Sequence, residues 1–193
     1  MRLERMLCRF LLPGESVVKD EVLGQPKASD LGASLSPQAG ETVLAFRPVD
    51  NDPELCGPAG GVAIADALFL WKSNQYPSQD PGGHPVLLAV ECKHSVRDAH
   101  AFNQVLGLLA AVVGGMEPSA VGRVGGIILT SSPAPSSEVA RWKRQAFRKT
   151  GVLIGVISVP KGSTTDVRPY LQDANACRVT DLVRGIGTAF VDD

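Results

Sequence analysis

Three short apolar runs, Val86-Leu-Leu-Ala-Val-Glu-Cys-Lys93, Gly125-Gly-Ile-Ile-Leu-Thr130 and Val152-Leu-Ile-Gly-Val-Ile-Ser-Val159, alternate with two longer stretches of helical pattern. Runs this short and this continuously apolar read as strands buried on both faces rather than as helices or half-exposed strands. A strand, a helix and a second buried strand in succession require a crossover that returns the chain parallel to itself. The fold class expected is therefore α/β, a mixed sheet flanked by helices on both faces.

The helical stretches carry their own start and stop signals. The first is expected from Ala99 to about Val113, with Asp98 as N-cap and Gly114-Gly115 as a stop. The second begins at Ser136 or Ser137, runs to about Thr150 and ends at Gly151. Upstream, Glu41–Arg47 is β-compatible and Val62–Trp71 is apolar nearly throughout except for Asp66, while Lys72–Pro85 is a polar connection. Met1–Leu12 reads as a short amphipathic helix stopped by Pro13-Gly14, and residues 14–40 as mostly loop with room for a short helix. After Lys161 the pattern is mixed, with a weak helical stretch near Thr180–Ile186. The expectation is one domain over 1–193: an N-terminal helix and loop (1–40), a core (41–160) and a C-terminal extension (161–193).

Composition removes several function classes. With 19 Lys+Arg against 20 Asp+Glu and 44% hydrophobic residues, the chain is neither a disordered charged tail nor a globally basic nucleic-acid binder, so any contact with DNA must be local. The longest unbroken apolar stretch, Val105–Met116, is shorter than a membrane span, and the interspersed charges of Met1–Leu12 do not fit a secretory signal. Cys8, Cys56, Cys92 and Cys177 lie far apart without a C-x-x-C pair, so reduced thiols and an intracellular location, cytoplasmic or nuclear, are expected, or delivery into a target cell if the chain is a toxin.

Three ionisable residues interrupt the apolar runs: Asp66, Glu91 and Lys93. Glu91 and Lys93 are two apart, so on a strand they share a face. If the segments carrying Asp66 and Glu91 pair as neighbours, two carboxylates and an ammonium meet at one end of the sheet. Burying two carboxylates together is costly unless positive charge compensates, and a hard divalent cation such as Mg²⁺ suits one or two carboxylates plus water and phosphate oxygens. The alternatives are a strand-edge or turn carboxylate making local hydrogen bonds at Asp66 and a same-face structural ion pair at Glu91 and Lys93.

At Asp66, the triplet Glu91-Cys-Lys93 and the following helix with Gln104, the sequence resembles the PD-(D/E)xK nuclease superfamily, with its restriction-endonuclease-like fold. The resemblance covers about residues 41–160 and implies an αβββαβ core, here with an additional helix and strand. Ala65 stands where the motif has proline, and residues 72–85 lengthen the spacing between Asp66 and Glu91. The resemblance implies that Asp66 and Glu91 ligate Mg²⁺, or Mn²⁺ as a substitute, with the Cys92 carbonyl. It implies that Lys93 orients or activates the hydrolytic water and that Gln104 holds a phosphate or the lysine. A nucleic acid, DNA before RNA, would be the partner, and homodimers are common among such enzymes. Glu4, Glu15 and Glu21 are candidates for the family's occasional acid on the first helix.

Other residues divide between function and packing. Arg97, His100 and Gln104 recur at helical spacing, with His100 read as a surface residue and His94 as pointing away from Lys93. On the second helix Arg141, Arg144 and Arg148 form a stripe flanked by Lys143 and Lys149, opposite Val139, Trp142 and Ala146. That basic stripe is either an ordinary solvated face or a phosphate-contacting surface built from Arg141, Arg144, Arg148 and Lys149. Trp71 and Phe102 read as core. The expected function is a metal-dependent nuclease acting on phosphodiester bonds; the rival is a non-catalytic nucleic-acid- or protein-binding module that uses the basic helix.

Overall fold

The computed structural model describes residues 7, 19–22, 42–46, 66–71, 86–114, 124–133, 136–161 and 167–184. Six strands form one sheet in sequential order: β1 (Lys19–Val22), β2 (Thr42–Phe46), β3 (Ala67–Trp71), β4 (Val86–Lys93), β5 (Val124–Thr130) and β6 (Leu153–Ser158). β1 is parallel to β2, β2–β3 and β3–β4 are antiparallel, and β4, β5 and β6 run parallel. Helix α1 (His100–Gly114) connects β4 to β5, and α2 (Ser136–Thr150) connects β5 to β6. A 3-10 turn (Arg168–Tyr170) and helix α3 (Ala174–Arg184) follow β6. The class is mixed α/β, as the alternation of buried strands and helices requires.

The pleat of the parallel strands sorts their residues between two cores. Leu87, Ala89, Ile128, Ile154 and Val156 pack under α1 and α2, against Phe102, Val105, Leu108, Val139, Trp142 and Ala146. Leu88, Val90, Ile127, Leu129, Leu153 and Ile157 face the other way, against Val167 and against Ala176 and Val179 of α3. Both faces of β4, β5 and β6 are therefore covered, which is why these strands carry no polar alternation. The stripe Val139, Trp142 and Ala146 is the buried face of α2, and the Trp142 ring meets Phe102 of α1 at 6.0 Å between centroids.

Close approach of helix to sheet explains one glycine in particular. A Cβ on Gly155 of β6 would stand 2.3 Å from the Ala176 Cα, so α3 lies directly on the bare strand backbone. At the end of α2, Gly151 takes φ of 70° and its N–H donates to the Phe147 carbonyl at 2.7 Å, the left-handed stop its position suggests.

Four expectations are corrected. Residues 19–22, expected in a loop, form β1, a short charged strand at the sheet edge. Asp66, expected inside a strand, sits in a bend immediately before β3. The last helix begins at Ala174, well before Thr180, because Asp173 caps it: its Oδ1 accepts the Ala176 N–H at 2.9 Å and its carbonyl accepts the Cys177 N–H at 3.0 Å. Glu21 lies on β1 rather than on a helix. Of the expected N-terminal helix, Leu7 is helical and buried in the α3-side core, and the remainder lies outside the described residues, with Glu4, Glu15, residues 62–65 and the 72–85 connection.

Candidate active site

The antiparallel register of β3 on β4 decides where Asp66 falls. Ala67 pairs with Val90, so the residue before Ala67 arrives beside Glu91. There the Asp66 N–H donates to Glu91 Oε2 at 3.1 Å, and the Cys92 N–H donates to Asp66 Oδ2 at 2.7 Å. Lys93 and Glu91, two residues apart on one face of β4, form an ion pair in which the Glu91 side chain is fully buried and that of Lys93 is 30% exposed. The expected convergence of Asp66, Glu91 and Lys93 is thus observed, and the bend at Asp66 is part of it: the carboxylate bonds to the edge of β4 where a further ladder pair would otherwise form.

Three parallel strands end at the same level as this cluster. Lys93 pairs with Thr130 of β5, and Thr130 with Ser158 of β6. Open α/β sheets bind ligands at the carboxyl ends of their parallel strands, where connections turn away and leave a crevice. Thr130 is buried and ties the loops together, its single hydroxyl proton shared between the carbonyl oxygens of His94 and Ser132, each 3.0 Å from Oγ1. His94 is exposed, with Nδ1 2.7 Å from Ser131 Oγ, so it serves the loop beside the cluster rather than the cluster itself.

Gln104 is buried at 5% exposure on α1, the helix that covers the face bearing Leu87 and Ala89, whereas His100 is exposed. Arg97 precedes the helix and is exposed. The expected common face of Arg97, His100 and Gln104 is therefore not formed: α1 starts at His100, its N–H accepted by Asp98 Oδ1 at 2.9 Å, and Arg97 falls outside the helical repeat.

The basic stripe is exposed at Arg141, Arg144, Arg148 and Lys149. Because α2 leaves the carboxyl end of β5 and returns to the amino end of β6, its last turn sits at the opposite end of the sheet from Glu91. Arg148 is twelve residues past Ser136, about 18 Å along the helix axis, so Arg141 and Arg144 are the nearer of the four. Lys143 is drawn away from the stripe by an ion pair with Asp173.

Among the described residues no group of three or more His, Cys, Asp and Glu side chains gathers that could hold a metal ion. The cluster offers two carboxylates and the adjacent main-chain carbonyl of Cys92, all hard oxygen donors. That set is too small for a protein cage of Ca²⁺ or for zinc, yet it matches Mg²⁺, which keeps much of its water and uses one or two carboxylates. The residues thus fit the ion that the sequence resemblance implies.

No family model matches the chain, and neither a curated protein nor a solved structure is similar to it. Among the described residues no helix is long and apolar enough to cross a membrane.

Proposed function

We propose that the chain is a Mg²⁺-dependent nuclease of restriction-endonuclease-like architecture that hydrolyses phosphodiester bonds, with DNA as the favoured substrate. The observation that carries this reading is the convergence of Asp66, Glu91 and Lys93 at the carboxyl end of β4. The order of elements supports it as well: among the described residues an antiparallel β2–β3–β4 meander is followed by a helical crossover to a parallel strand, an order compatible with the βββαβ part of an αβββαβ core.

Asp66, Glu91 and the Cys92 carbonyl would hold the ion, which supplies charge stabilisation at the phosphate and acidifies water. Lys93 keeps its ammonium at the solvent edge of the buried carboxylate, where it can donate to a phosphate oxygen or orient the attacking water. Glu91 fixes the lysine, and the Cys92 N–H fixes the Asp66 carboxylate, so neither group has to be ordered when substrate arrives. Gln104, buried on α1, would support Lys93 or a phosphate from the helix side.

The competing reading, a non-catalytic nucleic-acid- or protein-binding module, draws on the same ion pair: Glu91 and Lys93 already balance each other's charge. Plasmid, linear and single-stranded DNA incubated with Mg²⁺ or Mn²⁺ separate the two. The nuclease reading expects cleavage that Asp66→Ala and Lys93→Ala abolish. Intact DNA, or cleavage that survives both substitutions, overturns it.

A further inference from the structure

Beside the candidate active site, on the face of the sheet covered by α1 and α2, lies a cleft of about 290 Å³. Its walls are Val156 and Ser158 of β6, Ser136, Val139, Ala140 and Lys143 of α2, and Tyr170, Gln172 and Asp173 from the segment leading into α3. The register places it on the same rows as the acidic cluster. Glu91, Ile128 and Val156 form one row across the sheet, and Lys93, Thr130 and Ser158 the next. Cluster and cleft are the two ends of these rows, two strand spacings or about 10 Å apart. The loops that follow β4 and β5 are joined there by hydrogen bonds between His94 and Ser131.

The chemistry of the walls selects the occupant. Lys143, the cation on the wall, is already paired with Asp173, whose other oxygen caps α3. A phosphate would find that charge neutralised and meet the Asp173 carboxylate. The rest of the lining is Tyr170, half-buried and packed on the α3-side core, apolar surface at Val139, Ala140 and Val156, and the uncharged hydroxyls and amide of Ser136, Ser158 and Gln172. That is a site for a flat, neutral, polar ring of the size of a nucleobase, with apolar wall for its faces and uncharged partners for its donors and acceptors.

We propose that this cleft seats one unstacked base of the strand being cut, while the scissile phosphate of the same strand lies at Asp66, Glu91 and Lys93. The separation of about 10 Å equals roughly three nucleotide steps at the stacked rise of 3.4 Å, and fewer if the strand is extended. The base is thus a near neighbour of the cleaved bond, and Tyr170 and Gln172 become determinants of which strands are cut. The inference rests on the nuclease reading for the position of the phosphate, and on the cleft alone for the base.

The test uses the full chain carrying Lys93→Ala, and fluorescein-labelled single-stranded hexanucleotides read by fluorescence anisotropy, each with an abasic residue at one successive position. One position is expected to lose five- to tenfold in affinity when its base is removed. Gln172→Ala should reduce that loss and Ala140→Phe, which fills the cleft, should abolish it. Equal losses at every position, or discrimination that persists in both cleft variants with native circular dichroism, overturn the proposal. Deoxynucleoside monophosphates are titrated in parallel to distinguish a base within a strand from a free nucleotide. The proposal expects weak binding of the monophosphates, and monophosphate binding at least as tight as that of the hexanucleotide overturns it. Wild-type cleavage without abasic discrimination removes the cleft and leaves the nuclease reading standing, whereas abasic discrimination without any cleavage by wild type keeps the base site and removes the nuclease.

Discussion

The main-chain N–H of Cys92 donates to Asp66 Oδ2 at 2.7 Å, tying a carboxylate in the bend before β3 to the strand that carries Glu91 and Lys93. A geometric tie and a charge are thus combined in one side chain, and they can be separated. Asp66→Asn retains an oxygen that can accept the Cys92 N–H but has no charge to offer a cation. Its melting temperature is expected within about 4 °C of wild type, a change of no more than about 1 kcal/mol for a chain of this size, while Mg²⁺ affinity measured by isothermal titration falls at least tenfold. Equal Mg²⁺ affinity would show that Asp66 serves the loop alone.

Glu91 is fully buried and Lys93 partly exposed, so removing the lysine leaves a buried carboxylate without its ammonium. Breaking a fully buried pair costs roughly 3–5 kcal/mol. Solvent at Lys93 screens this one, and Lys93→Met is expected to cost about 1–3 kcal/mol in urea unfolding. Millimolar Mg²⁺ should restore part of that loss, because a cation beside Glu91 replaces the missing charge, and it should restore none in the double variant Glu91→Gln with Lys93→Met. A purely structural ion pair gives the same destabilisation with no recovery in Mg²⁺.

Gly155 is held against Ala176 so closely that a methyl group would overlap main chain rather than a flexible side-chain tip. Gly155→Val should therefore displace α3 and cost about 1–3 kcal/mol or more, the range of overpacked cores. Thermal unfolding followed by circular dichroism checks this, and a variant within 0.5 kcal/mol of wild type would show that α3 is not seated on β6.

Much of the core that this helix helps to close is legible in the chain, because burial on both faces demands apolar residues in succession. β4 spans Val86–Lys93 as its apolar run does, and Val139, Trp142 and Ala146 are both the sequence stripe and the buried face of α2. What escaped is decided elsewhere. Lys19–Val22 has no apolar pattern to read, since its strand identity comes from pairing with β2. The start of α3 depends on a cap at Asp173 that is simultaneously held by Lys143 from α2, thirty residues away. The site was legible in its residue types and in the two-residue spacing of Glu91 and Lys93, but the place of Asp66 follows from the register of Ala67 on Val90, which no local pattern encodes.

The geometry of α2 ranks its basic residues. Arg141 and Arg144 lie nearer the carboxyl ends of the strands than Arg148 and Lys149, and all four are exposed. The Arg141→Ala, Arg144→Ala double variant is expected to weaken DNA binding at least fivefold at 100 mM salt and to lower the salt slope by about 1–2, while Arg148→Ala, Lys149→Ala weakens it less than twofold. Both pairs should leave stability within about 0.5 kcal/mol per site. Fluorescence anisotropy across a salt series reads the ranking, and equal effects would place the nucleic acid along the whole helix.

Cation binding by Asp66 and Glu91 is read from an anomalous difference map of full-chain crystals soaked in Mn²⁺. A peak is expected in contact with the carboxylates of Asp66 and Glu91 and the carbonyl of Cys92, and it should be lost in crystals of Glu91→Gln. A map with no peak there, in crystals that take up Mn²⁺ at other positions, would contradict cation binding by these residues.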